Sequence, residues 1–372
     1  MNVKTAYSTR ASVLDAANEI RQQLLGVEPT MVLYFASSTY APAALSEAMQ
    51  TAFGATTVIG CTTAGEIADG IMLRHSIVAM AFTKAALKRF RVALVEDVNE
   101  KKTLKEKIVR AMKSFEECYG APASKLDPGR LVGLILIDGL CRAEERVMEK
   151  IGDLTDVTFL GGAAGDDRKF EKTYIYGNGK AYTNAALLAM IEPATPFDVI
   201  KTQSFRCLGK KLLATEVDED TRTVMRFDGK PAASAYADAL GVPLETASES
   251  FEKNPLGLML DDEPYVRSPQ RIDNGHIVFY CNIKKGMELS VLESTDIVHD
   301  TRAAIEKSRA KLGSISGIIS FSCILRRLEL EKDGLVESYG KVFSGAPTIG
   351  FSTYGEEYIG HINQTATMLV LG

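Results

Sequence analysis

Three glycine-rich segments carry the polar side chains best suited to chemistry in this chain. They cover residues 60–66, 161–167 and 350–356. Glycine lacks a Cβ, so the backbone can turn sharply and approach a ligand closely. Hydroxyl, amide and carboxyl groups beside the glycines would then supply hydrogen-bond donors and acceptors. The same glycines could instead serve only turns and strand packing, because glycine patterns have low specificity and a repeated fold repeats its turns.

The functional interpretation of these segments is a binding site for a small polar ligand. Hydroxyls and amides would contact polar atoms of the ligand, and carboxylates suit an amine. The predicted ligand-binding residues are Cys61, Thr62, Thr63, Glu66, Gly161, Gly162, Asp166, Ser352, Thr353, Tyr354, Glu356 and Asn363. Ligand pockets favour domain interfaces, so we expect the ligand near these segments and between the two halves of the chain.

Catalysis is weakly indicated by the same residues. Cys61 lies beside two threonines and could act as a nucleophile, but its segment contains no histidine and the third segment has Phe351 at the corresponding position. Asp138 and residues 166–167 could act as acid and base, although acidic residues at strand ends more often form caps and turns. We therefore predict a non-enzymatic protein, with a hydrolase or transferase that uses Cys61 as the alternative.

Two of the four histidines are candidate haem ligands. His361 follows the third glycine-rich segment, and His276 precedes an apolar run; a haem sensor would need such an axial ligand. Each histidine taken alone is more often a surface or core residue. The six cysteines are scattered and form no C-x-x-C-H or paired spacing, which excludes covalent c-type haem and argues against zinc.

Internal repetition predicts how these segments are positioned. An apolar run at 31–36, a helical pattern at 41–53 and the first segment recur as a run at 131–137, a helical pattern at 143–152 and the second segment. Phe35 and Gly60 are 25 residues apart, as are Leu136 and Gly161. A looser third copy begins at residues 317–321, and its Ile349 to Glu356 shares the form I-G-x-[ST]-T-x-G-E with the first copy. The repeated unit is predicted to be strand, helix, strand and hairpin.

The predicted fold is α/β, with mixed sheets flanked by helices and two domains. Parallel pairing is expected across each helical crossover, and the apolar runs at 76–82, 185–191 and 365–371 should add antiparallel strands. Residues 204–227 are predicted to form two strands around a polar turn. We place the domain boundary in the polar segment at residues 217–229, with an N-terminal domain at 1–225 and a C-terminal domain at 226–372.

Composition excludes several functional classes. The 372 residues are 46% hydrophobic and carry a net charge of −5, with no basic face of the kind nucleic-acid binding requires. No stretch approaches the roughly 20 apolar residues of a membrane span, and the N-terminus lacks the apolar core of a signal peptide. The expected location is the cytoplasm, with neither nucleic acid nor membrane as a partner.

The sequence resembles the FIST family. The resemblance rests on residues 59–67, 160–167 and 350–356 and on His361-Ile-Asn-Gln-Thr365, which occur in this order over nearly the whole chain. It implies an N-terminal FIST part to about residue 225 and a C-terminal FIST part after it.

The resemblance also implies a sensory role in signal transduction. Members are proposed to bind small molecules such as amino acids, and some stand-alone bacterial members are haem proteins that sense nitric oxide and control a histidine kinase. The predicted function is therefore a cytoplasmic sensor of a small-molecule or gas ligand, with haem as a possible cofactor and a histidine kinase or other signalling protein as its partner. An interaction scaffold without a small ligand is the remaining alternative.

Overall fold

The bounds of the helices and strands come from a computed structural model that describes residues 2–260 and 263–372. The α-helices are α1 (Val13–Gln23), α2 (Pro42–Phe53), α3 (Leu104–Tyr119), α4 (Glu144–Gly152), α5 (Ala232–Leu240), α6 (Ile297–Leu312), α7 (Ile324–Lys332) and α8 (Val336–Gly340). Short 3₁₀ helices cover Ala123–Lys125, Leu244–Ser250 and Lys341–Phe343.

The strands alternate with these helices along the chain. Those of the first half are β1 (Val3–Ser8), β2 (Met31–Ser37), β3 (Thr57–Thr63), β4 (Glu66–Ala68), β5 (Ile71–Leu73), β6 (Ile77–Phe82), β7 (Leu87–Glu96), β8 (Val132–Ile137), β9 (Phe159–Ala163), β10 (Ile175–Gly177), β11 (Lys180–Tyr182), β12 (Ala185–Pro193) and β13 (Phe197–Gln203). Those that follow are β14 (Phe205–Asp218), β15 (Thr223–Phe227), β16 (Lys230–Pro231), β17 (Leu256–Leu260), β18 (Glu263–Arg267), β19 (Pro269–Asp273), β20 (His276–Phe279), β21 (Glu288–Ser294), β22 (Gly317–Cys323), β23 (Thr348–Thr353), β24 (Glu356–Tyr358), β25 (His361–Ile362) and β26 (Thr365–Leu371).

The three sequence repeats fold as predicted. The units β2–α2–β3, β8–α4–β9 and β22–α7–β23 each pair their two strands in parallel across the helix. The later strands β6, β12 and β26 then pair antiparallel with the first strand of their own unit. These strands are buried along their length, which explains why they read as continuous apolar runs. The α/β class with mixed sheets is confirmed.

The short hairpins that follow the glycine-rich segments are exchanged between repeats. The hairpin β4–β5 of the first repeat extends the sheet of the third through β23. The hairpin β10–β11 of the second extends the sheet of the first through β3, and β24 of the third pairs with β9 of the second. Each repeat thus completes the sheet of another, in a cycle.

A shared apolar core lies beneath these three sheets. The rings of Phe35, Phe321 and Phe351 meet there, with centroids 4.6 Å apart for Phe35 and Phe351 and 5.8 Å apart for Phe321 and Phe351. Leu136 and Leu160 of the second repeat belong to the same buried cluster. Because the core takes side chains from every repeat, one repeat alone would leave its apolar face exposed.

The chain divides into two compact units. The first comprises residues 1–201, 301–361 and 366–372, and the second comprises residues 202–300 and 362–365. The second unit contains α5 and a fourth sheet in the order β18-β17-β21-β14-β15-β20-β19, with β16 added beside β15. These units are defined by which residues contact one another in space. The boundary predicted at residues 225/226 instead separates the N-terminal and C-terminal parts of the sequence, and it stays a prediction. No helix in the described part of the chain has both the length and the apolar character to cross a bilayer.

Candidate functional site

The glycine-rich segments of the three repeats hydrogen-bond to one another through the backbone. The bonds that join them are Ala64 N to Ser352 O (3.0 Å), Ser352 N to Gly65 O (2.7 Å), Tyr354 N to Ala163 O (3.0 Å), Ala163 N to Gly355 O (2.9 Å), Gly165 N to Thr62 O (3.0 Å) and Asp167 N to Thr63 O (3.0 Å). The ends of parallel strands are the usual place for ligands in α/β folds. These bonds bring Thr62 and Ser352, which lie 290 positions apart in the sequence, into one layer.

The glycines of this layer have packing requirements of their own. A Cβ on Gly161 would lie against the carbonyl oxygen of Ile135, and one on Gly162 would lie against the side chain of Thr353. Gly65 has a φ of +128°, a conformation that other residues rarely adopt. Strand packing and turn formation therefore account for these glycines, and a role for Gly161 and Gly162 in ligand binding stays a prediction.

Several predicted hydroxyl and carboxyl groups already bond to one another. The Thr63 hydroxyl donates to Glu66 Oε1, and the Thr353 hydroxyl donates to Glu356 Oε1 in the same way. Thr62 Oγ1 accepts a hydrogen bond of 2.9 Å from the backbone of Tyr174. These buried groups stabilise the layer itself.

Glu66 is a fully buried carboxyl group. Ser76 donates to its Oε2 from both the backbone nitrogen, at 3.2 Å, and the side-chain hydroxyl, at 2.5 Å. Burial raises the pKa of Glu66 to about 7, while the hydrogen bonds from Ser76 and Thr63 oppose that shift. The carboxyl group of Glu66 therefore stays protonated at a higher pH than an ordinary glutamic acid does.

Asp166 performs a structural task in the second segment. Its carboxylate accepts backbone hydrogen bonds from Phe170, Glu171 and Lys172 at 2.8, 2.7 and 2.9 Å, and a further bond from the Tyr354 hydroxyl. Burial raises its pKa, but these hydrogen bonds outweigh burial and the net shift is downward. The carboxylate thus holds the turn after β9 and links it to the third segment.

Cys61 lacks the environment of a nucleophile. Its side chain is buried in the apolar core, and desolvation raises the pKa of the thiol well above its ordinary value. Reactive cysteines have lowered pKa values and partial exposure. This geometry weakens the hydrolase or transferase alternative that rests on Cys61.

A cluster of ionisable groups that the sequence interpretation missed lies between the second and third repeats. We call Glu144, Glu145, Glu357 and His361 the Glu357 cluster. Nδ1 of His361 lies 2.8 Å from Glu357 Oε1, and the two side chains are 1% and 0% exposed. Glu144 and Glu145, the first two residues of α4, lie close enough to raise the pKa values of both.

The Glu357 cluster contains three carboxyl groups and one imidazole. Burial raises the pKa of Glu357, against the opposing effect of the His361 charge. Burial lowers the pKa of His361, but the surrounding carboxylates outweigh it and the net shift is upward. Both shifts favour bound protons, as expected where carboxylates outnumber cations. Glu357 Oε2 has no hydrogen-bond partner within the described residues.

The sequence contains a faint signal for this cluster. Glu357 and His361 have a spacing of four, and Glu144 and Glu145 open a segment with helical periodicity. Nothing in either pattern indicates that the two segments meet, because the hairpin exchange that joins them is a tertiary feature.

The remaining predicted residues lie in the third segment and in the second compact unit. Ser352 is buried and its hydroxyl has no partner within the described residues. Asn363 belongs to the second unit, where both polar atoms of its buried amide also have no partner in the described part of the chain. His276 begins β20 in the same unit and is paired in register with Asp273.

The two candidate histidines have different surroundings. The ring of His361 lies against Gly355, where even a Cβ would collide with it, and its Nδ1 is bonded to Glu357. His276 lies half-buried beside a tight turn formed by Asn274 and Gly275. A metal-bound histidine usually donates its other ring nitrogen to a carboxylate. His361 has such a carboxylate in Glu357, but its ring is packed against Gly355. No group of three or more metal-binding side chains occurs in residues 2–260 and 263–372.

Comparison with known proteins gives a family match over most of the chain. The FIST N domain model matches residues 30–230, and the FIST C domain model matches residues 232–358. An uncharacterised protein of Methanocaldococcus jannaschii is 22% identical over 267 residues, which cover 67% of this chain and 51% of that protein. The chain thus spans about half the length of that curated relative. A cyanuric acid hydrolase from A. caulinodans superposes with a TM-score of 0.42 and 8% identity, over 100% of this chain and 99% of that chain.

Proposed function

Because the chain belongs to the FIST family, we propose that it is a sensory protein that binds a small ligand and passes the signal to a protein partner. FIST domains are small-ligand sensing domains in signalling, and the family is associated with sensing rather than catalysis. The observation that carries the proposal for this chain is the buried oxygen Glu357 Oε2, which has no hydrogen-bond partner in the described part of the chain.

A buried acceptor without a partner is costly. Leaving such a group unsatisfied destabilises a protein by about 1–3 kcal/mol, and by more when the group is charged. A ligand group that donates a hydrogen bond to Glu357 Oε2 would remove this penalty, and a positive charge on that group would be attracted by the carboxyl groups of the cluster.

The ligand class that fits these conditions is a small primary ammonium compound. An ammonium group has three donors and a full positive charge. One donor would reach Glu357 Oε2, and the positive charge would be attracted by the nearby carboxyl groups of Glu144 and Glu145. Amino acids and small amines belong to this class, whereas a simple carboxylate would be repelled by the cluster.

The loop before α4 would carry the signal from the Glu357 cluster. Asp138 fixes that loop by accepting hydrogen bonds from Leu140 N at 2.9 Å, from the Thr173 hydroxyl and from Asn184 N. Because Glu144 and Glu145 are the first residues of α4, a bound cation would bias the position of the loop and the helix start. A partner such as a histidine kinase would recognise the biased surface, which is a population shift between two arrangements.

A thermal-shift panel tests this function. We expect small amines and amino acids to raise the unfolding midpoint, with a gain in stability of about 2.7 kcal/mol at a hundredfold excess over the dissociation constant. Primary alcohols with the same carbon skeletons are the matched control, because they lack the positive charge, and should have a much smaller effect. A panel in which no ligand shifts the midpoint would favour the interaction scaffold and contradict the proposal.

A nitric-oxide-sensing haem protein is the finer alternative within the same function. The specific observation that favours it is the carboxylate on Nδ1 of His361. The test is the absorption spectrum of protein purified with a haem precursor supplied, with and without nitric oxide. A Soret band that shifts with nitric oxide and disappears in His361→Ala would assign the gas ligand, and a featureless spectrum would reject it.

A further inference from the structure

A buried charged group that has no counter-ion among the described residues lies in the third repeat. Arg326 is the third residue of α7, which begins directly at the end of β22 with Cys323 as its N-cap. The side chain is 1% exposed and is the largest of the fully buried side chains in the described part of the chain. A buried arginine normally has a carboxylate partner, because moving an isolated charge out of water is very unfavourable.

The contacts of Arg326 satisfy only part of its guanidinium group. Nη2 donates to the Thr301 hydroxyl of α6 at 2.8 Å, and the group lies over the ring of Tyr339 in α8, 5.7 Å from the ring centre. Nε and Nη1 have no hydrogen-bond partner in the described residues. Among the described residues, no ion pair joins the guanidinium group of Arg326 to a carboxylate.

The neighbouring Arg327 shows what a compensated arginine looks like in the same helix. Its Nε lies 2.8 Å from a carboxylate oxygen of Glu331, and its Nη1 donates to the carbonyl oxygen of Leu73 at 2.8 Å. Both arginines are buried. The difference between them is therefore one of partners rather than of burial.

The chemistry of the surroundings of Arg326 favours an anion. A guanidinium group does not lose its proton in a protein, so the charge cannot be removed by titration. The first turn of α7 has no side-chain cap, and the partial positive charge of a helix N-terminus adds to that of Arg326. The guanidinium group lies over the Tyr339 ring, and Nε and Nη1 are the donors left for a ligand.

We propose that Arg326 binds a small oxyanion, of the size of phosphate or acetate, at the junction of α6, α7 and α8. The oxyanion accepts hydrogen bonds from Nε and Nη1 along the edge of the guanidinium group, in the geometry that arginine offers to carboxylate and phosphate. The burial of the group requires the anion to be small. Anion binding joins three helices and is independent of the amine proposed for the Glu357 cluster, because the two sites require ligands of opposite charge.

Thermal unfolding in an anion-poor buffer tests this site. Inorganic phosphate, acetate and chloride are titrated separately at constant ionic strength. We expect phosphate or acetate to raise the unfolding midpoint of the native chain progressively with concentration, and chloride to have a smaller effect. Arg326→Met keeps the length and apolar contacts of the side chain and should abolish the rise, whereas Arg302→Met, an exposed neighbour on α6, should retain it.

The outcomes separate an anion site from a structural arginine. A midpoint that does not respond to any of the anions, or one that responds equally in Arg326→Met, overturns the proposal. If Arg326→Met does not fold, equilibrium dialysis of labelled phosphate against the native chain decides the question. One phosphate bound per chain and displaced by acetate supports the site. A chain that retains neither phosphate nor acetate contradicts it.

Discussion

Replacing Glu66 by glutamine is expected to remove a pH dependence from the stability of the protein. The carboxyl group is fully buried and hydrogen-bonded to Thr63 and Ser76, and burial raises its pKa from 4.5 to about 7. The folded chain therefore holds the proton more tightly than the unfolded chain. Stability then falls as the pH rises from about 4.5 to about 7, and above that range the loss is constant.

The size of this change in stability follows from the shift in the pKa of Glu66. One pKa unit corresponds to about 1.4 kcal/mol, so a rise from 4.5 to about 7 corresponds to about 3 kcal/mol. Glutamine keeps an oxygen for the two Ser76 donors, and its amide can donate to the Thr63 hydroxyl. The Glu66→Gln chain should therefore match the native chain in acid and exceed its free energy of unfolding by up to about 3 kcal/mol at pH values above the shifted pKa.

Urea unfolding followed by circular dichroism at a series of pH values measures this difference. Glu47→Gln, which removes an exposed carboxylate on α2, controls for the change of net charge. If the difference between Glu66→Gln and the native chain does not change across this pH range, or if the variant is the less stable protein above it, the argument from burial is refuted.

Three further changes have defined outcomes. Gly65→Ala should lower the free energy of unfolding by about 2 kcal/mol because of the positive φ, whereas Gly152→Ala, with open space around it, should be neutral or slightly stabilising in the same urea assay. Iodoacetamide should label the exposed Cys207 and leave the buried Cys61 unmodified until denaturant is added, as mass spectrometry would show; rapid native labelling of Cys61 would contradict its raised pKa. Asp166→Asn should cost about 2 kcal/mol at neutral pH through weaker charge-assisted hydrogen bonds, and the native chain should lose this stabilisation as the pH falls through the lowered pKa; an unchanged urea midpoint at neutral pH would count against that account.

The elements that local periodicity controls were predictable from the sequence. The repeats place strands and helices at equal spacings, and parallel pairing follows because a helix connects the two strands of each unit. The repeated unit predicts a helix in the third copy as well, but the sequence does not give its bounds. α7 begins at Ile324, directly after β22, and has no capping side chain, so the usual helix start signal is absent.

The groups that form the candidate site could be predicted only in part. The glycine-rich segments predicted a single ligand site near all three of them. In the structure, backbone hydrogen bonds join the segments in one layer. The contact between Glu357 and α4 depends on the exchange of hairpins between repeats, which long-range pairing determines and local sequence does not encode. For the same reason the unpaired charge of Arg326 cannot be read from the sequence, where it is one of two adjacent arginines.

The central claim is that the Glu357 cluster binds a small primary ammonium compound, and calorimetric titration of the native chain and Glu357→Gln tests it most directly. The ligand is the amine or amino acid with the largest thermal shift, and Glu47→Gln is the control. Glutamine preserves a hydrogen bond to His361 while removing the charge, so we predict that affinity falls about 10- to 100-fold in Glu357→Gln alone, the equivalent of losing one charge-assisted hydrogen bond. Equal affinity in the native chain and Glu357→Gln would contradict the account.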